Sequence, residues 1–68
     1  MKLDLHGVEH SEVERVVENF ILLNQEDLPH TIICGNSKRM IELVHTVTVR
    51  IGCQVALPRY GIIRIDKV

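Results

Sequence analysis

Apolar and polar residues alternate through Leu3-Asp4-Leu5-His6. A two-residue period predicts a strand over Leu3–His6, with both leucines on one face and the carboxylate and imidazole on the other. Gly7 ends it. From about Ser11 to Asn24 the period lengthens. Val13, Val16, Val17, Phe20 and Ile21 recur at three- and four-residue steps, the stripe of an amphipathic helix. Ser11 and Glu14 have capping-box spacing, and glutamates crowd the first turns, where the helix dipole favours anions. Gln25 to Pro29 connects to a second predicted strand, His30–Cys34, a short β-branched run stopped by Gly35. A second helical stripe follows from Ser37 or Lys38 through Met40, Ile41, Val44, Val47, Thr48 and Ile51, ending at Gly52. Its Val, Thr and Ile content is poor for a helix, so burial must hold it. Cys53–Leu57 reads as a third strand, Pro58-Arg59-Tyr60-Gly61 as a turn, and Ile62–Asp66 as a fourth strand.

The element order is βαβαββ. It predicts an α/β chain folded as a two-layer α+β sandwich, with a four-stranded mixed sheet and two helices. Right-handed crossovers make the first two strands parallel, so their carboxyl ends share one edge of the sheet. His6-Gly7 and Gly35-Asn36-Ser37 should then face each other across a small crevice, where open α/β sheets bind ligands. His30, at the other end of its strand, lies about 13 Å from that edge and is excluded from the site. In the fourth strand, Ile63 and Ile65 are expected to face the helices. That turns Arg64 to the open face shared by Asp4 and His6.

Sixty-eight residues suffice for one domain, 1–68, and 46% hydrophobic content supports a core without metal or disulfide. Two cysteines, Cys34 and Cys53, form no CxxC pair. No apolar run approaches the ~20 residues of a membrane span, and charges at Lys2 and Asp4 argue against a secretory leader. A cytoplasmic protein with no membrane partner is the expectation; the pattern leaves its oligomeric state open.

The net charge of −1 conceals a polarity. Residues 1–34 carry two cations and seven anions, while residues 35–68 carry six cations and two anions. The second half is suited to a polyanion. Within it, Gly35-Asn36-Ser37 leads into a helix, where free N–H groups and the dipole form a phosphate seat. Lys38 and Arg39 follow in the first turn. Cations there oppose the dipole, a conflict that an anionic ligand would relieve. Arg59 and Arg64 are candidate further phosphate contacts.

A strand-end imidazole beside a phosphate seat can move protons in phosphodiester cleavage. A neighbouring carboxylate orients the ring or helps hold a divalent ion such as Mg2+. Asp4 and His6 are therefore the candidate catalytic pair. RNA is favoured over DNA as substrate, because a 2′-hydroxyl can attack with acid–base help alone. Two-metal hydrolysis needs several converging carboxylates, and only Asp4 is placed for it. A solvated polar pair on an open sheet face is the plain alternative. His6-Gly7-Val8-Glu9-His10 spells H-x-x-E-H, but that zinc site needs both histidines on one helical face. His10 and His45 read as helix-entry and boundary residues. With Phe20 expected in the core, Tyr60 alone offers no stacking platform for single strands.

The opening Leu3-Asp4-Leu5-His6-Gly7, the glycine loop before the second helix and the βαβαββ order together resemble the Smr (small MutS-related) domain over nearly the whole chain. The resemblance implies a fold like the carboxyl-terminal domain of a translation initiation factor. It also implies endonuclease activity on DNA or RNA. The family's central loop commonly reads TGxG or HGxG, whereas here it is Cys34-Gly35-Asn36-Ser37. Serine can still cap and donate, but the additional proton-transfer histidine of some members is lacking. A non-catalytic nucleic-acid-binding module in translation or repair complexes is the alternative function.

Overall fold

A computed structural model describes all residues, 1–68. Strand β1 spans Lys2–Asp4, helix α1 His10–Leu23, strand β2 His30–Ile33, helix α2 Lys38–Ile51, strand β3 Gln54–Arg59 and strand β4 Ile62–Lys67. A 3-10 turn over Gln25–Asp27 links α1 to β2. The order matches the expected βαβαββ, and the four strands form one mixed sheet in the order β1-β2-β4-β3. β1 runs parallel to β2, pairing Asp4 with Ile33, and β4 runs antiparallel to both β2 and β3.

The alternation in the first strand sets its burial. Leu5 is buried and Leu3 half-buried, while Lys2, Asp4 and His6 are exposed. Leu5 also extends the ladder by donating its N–H to Ile33 O at 3.0 Å. Both helices cover the leucine face. Val13, Val17 and Ile21 of α1 and Met40, Leu43, Val44 and Val47 of α2 close over Leu5, Ile32, Ile63 and Ile65. As expected, Ile63 and Ile65 face the helices and Arg64 lies exposed on the opposite face.

Several boundaries differ from expectation, and β1 ends at Asp4 instead of His6. Helix α1 starts at His10 after Glu9, which makes no side-chain cap, so Ser11 lies inside the first turn instead of capping it. Ser37 does cap α2, accepting from the Met40 N–H at 3.1 Å. Pro58 and Arg59, expected in a turn, belong to β3, and only Tyr60-Gly61 turns the chain. Proline is tolerated there because β3 is an edge strand, and the pairing register shifts between Ala56 and Arg59.

The charge polarity is partly consumed within the fold. Arg50 of α2 donates to Glu18 at 2.7 Å and Glu14 at 3.3 Å of α1, contacts that push its guanidinium pKa further up. Arg64 donates to Asp66 at 2.7 Å, with the same effect on its pKa. Lys38, Arg39, Arg59 and Lys67 make no ion pair and remain the available cations of the second half.

Candidate functional site

The parallel pairing of β1 and β2 brings their carboxyl ends together. Asp4, His6, Ile33, Cys34 and Gly35 line one cavity of about 210 Å³. His6 and Gly7 form the centre of a β-turn closed by the Val8 N–H donating to Leu5 O at 3.0 Å, with Gly7 at φ +83° in its third position. The turn lifts the imidazole out of the ladder into solvent beside the second strand tip.

Asp4 acts on this turn in a specific way. Its Oδ1 accepts the main-chain N–H of His6 at 2.9 Å, fixing where the strand ends. The carboxylate therefore positions the histidine through its backbone and makes no hydrogen bond to the ring. No cluster of three or more His, Cys, Asp or Glu could hold a metal ion. Asp4 is the one carboxylate lining the cavity, and one of its two oxygens is engaged by the His6 N–H.

The facing loop leaves most of its amides without protein partners. Ser37 Oγ occupies the Met40 N–H, while the amides of Gly35 to Arg39 find no acceptor in the protein. Asn36, Lys38 and Arg39 are exposed along this loop and first turn. Arg64 is not brought to the cavity. It pairs across the sheet with Thr31, whereas the cavity lies at Ile33, about 7 Å further along β2. Its guanidinium is held by Asp66. Arg59 lies on the other side of the loop, in a second cavity of about 270 Å³ with Ile41, Leu57, Tyr60, Gly61, Ile62 and Ile63.

No protein-family model, curated protein or solved structure matches this chain. The chemistry of the site is therefore carried by its own residues.

Cys34, which lines the Asp4–His6 cavity, has its thiol pushed up to about 11 by burial. It stays protonated at neutral pH and supplies no thiolate nucleophile. The folded thiol keeps its proton to higher pH than an unfolded one. Its contribution to stability is thus intact below about pH 9 and is lost as pH rises through 11. Native Cys34 should alkylate with iodoacetamide at pH 8 far more slowly than in the urea-unfolded chain. Between pH 8 and pH 10.5 the Cys34→Ala variant should lose less thermal stability than wild type. Equal alkylation rates in the folded and unfolded chains would contradict this burial.

His30 sits at the far end of β2, away from the cavity as expected, but its environment is unusual. It is fully buried, with its ring centroid 4.9 Å from that of Phe20, and neither ring nitrogen has a hydrogen-bond partner. The sequence offered no signal for that.

The Tyr60 cavity was the feature that residue patterns missed. It arises because β4 runs antiparallel to β2, which brings the β3–β4 turn alongside Gly35. Cys34 N–H donates to Gly61 O at 2.7 Å across this junction. The signal available was the pairing of two glycines at one edge of the sheet.

Proposed function

We propose that this chain is an Smr-like nucleic-acid-binding domain acting as an endonuclease, with RNA preferred to structured DNA. The observation that carries the reading is the convergence of Asp4, His6 and Gly35 in one cavity, beside a loop of unpaired amides. Lys38 and Arg39, free of ion pairs, supply the positive charge that holds a phosphodiester there. His6 then has the reach and the chemistry to act on the held phosphate. On RNA, its ring takes the proton of the 2′-hydroxyl as that oxygen bonds to phosphorus. The bond to the 5′-oxygen breaks, and the departing oxygen takes a proton from the imidazolium or water. The products are a 2′,3′-cyclic phosphate and a 5′-hydroxyl. Asp4 holds the turn that presents the ring.

One observation favours the second reading, a binding module without catalysis in translation or repair complexes. One oxygen of the Asp4 carboxylate is taken by the His6 main chain and the Cys34 thiol is neutral, which leaves His6 as the one imidazole in the cavity. Both readings require electrostatic binding. Affinity for RNA measured across a salt series should fall steeply. Lys38→Ala and Arg39→Ala should each flatten the slope of log K against log salt by about 1. A response flat in salt, or unchanged in both variants, would remove the phosphate seat.

A further inference from the structure

The cavity of about 270 Å³ on the hairpin side of the Gly35 loop is a site of different character from the Asp4–His6 cleft. Ile41 of α2, Leu57 of β3 and Ile63 of β4 give it apolar walls, and Arg59 and Tyr60 contribute its polar surface. No acidic side chain lines it. Tyr60 is 66% exposed, unusual for the one tyrosine in a chain with so few aromatics. The two cavities share a wall. Gly61 lines this one and Gly35 lines the other, and the two glycines pack backbone to backbone.

We propose that this cavity receives one unpaired nucleobase of a single-stranded segment whose adjoining phosphate lies on the Gly35–Arg39 loop. The inference rests on the nucleic-acid reading above and extends it to substrate class: unpaired nucleotides in preference to duplex. Three observations carry it. First, the shared wall makes cleft and cavity neighbours along one path, as a phosphate and its base must be. Second, the lining pairs apolar walls with a phenol ring and a guanidinium, the two surfaces on which splayed-out bases stack. Third, Lys38 and Arg39 in the first turn after the loop and Arg59 in the cavity wall make no ion pair, a charge complement to a phosphate backbone. An apolar protein segment would fill the walls but leave those cations unmatched. The volume lies just below the range of drug-sized pockets, so it suits a single ring system and excludes a base pair. With no amide side chain in the lining, recognition is by stacking and tolerates base identity.

The test compares two probes on the intact protein at low salt by fluorescence anisotropy. One is a short oligouridylate, and the other is an abasic oligoribonucleotide of equal length. Wild type should bind the base-bearing strand about 10-fold more tightly, within the range expected of base–aromatic stacking. Tyr60→Ala should erase that ratio while leaving abasic binding unchanged, which also reports an intact fold. Tyr60→Phe should keep the ratio. A ratio that survives Tyr60→Ala overturns the base pocket and leaves the phosphate seat standing. Failure to bind either probe overturns the nucleic-acid reading and the pocket with it. Loss of self-association on sedimentation of Tyr60→Ala, with the ratio unchanged, would assign the cavity to a second copy of the chain.

Discussion

Gly61→Ala is expected to lose roughly 2–4 kcal/mol of folding stability, a large part of the 5–15 kcal/mol typical of a small domain. Two effects combine. Gly61 has φ +86°, in the left-handed region where a side chain costs about 1–2 kcal/mol. A Cβ there would also lie 2.5 Å from the carbonyl oxygen of Gly35, a main-chain atom that cannot rotate away. The hairpin would have to lift from the loop, stretching the 2.7 Å bond from the Cys34 N–H to Gly61 O. For a domain of this size, the loss corresponds to a Tm lower by about 10–25 °C. Gly52→Ala is the control, because its φ is +89° but an added Cβ meets nothing within 4 Å. The difference in Tm between the two variants isolates the close approach. Equal losses would mean that the hairpin and loop do not depend on that contact.

The second large effect concerns His6. His6→Ala should lower RNA cleavage by about 10²–10⁴-fold, the usual contribution of a general acid–base group, while binding stays near wild type. The residue is exposed in a surface turn, so its removal should leave the core undisturbed. Asp4→Asn should be much milder. An asparagine oxygen can still accept the His6 main-chain N–H, which is the one bond that Asp4 makes in this site. Single-turnover cleavage of end-labelled RNA, with product ends identified as cyclic phosphate, measures both variants. Wild-type and His6→Ala rates that coincide would exclude the imidazole from the reaction and leave the binding-module reading. An Asp4→Asn loss as deep as that of His6→Ala would show that the negative charge, and not the turn geometry alone, acts in the transition state.

Most of this fold was legible because local pattern and tertiary burial agree. The Leu3–His6 alternation, the two apolar stripes and the Ser37 cap each follow from short-range chemistry that packing did not override. The departures occur where pairing at a distance decided the outcome. Pro58 and Arg59 carry turn chemistry, yet the partnership of β3 with β4 draws them into an edge strand. Ser11 and Glu14 have capping spacing, but the chain enters α1 one residue earlier, at His10. Counting charge by halves treated Arg50 as available, whereas interhelical packing places it against Glu14 and Glu18. The candidate site divides in the same way. Asp4, His6 and Gly35 could be brought together from strand direction alone. The bond from Asp4 to the main chain, the engagement of Arg64 by Asp66 and the cavity beside Tyr60 depend on side-chain placement that periodicity does not encode.

The two borders of the sheet differ from its interior in a way that bears on behaviour in solution. β1 is three residues long, and β3 carries Pro58 and two shifts of register. Neither rim presents the long, flat ladder on which a foreign strand could dock. Crowded copies of this chain can therefore stand side by side without fusing into intermolecular sheets.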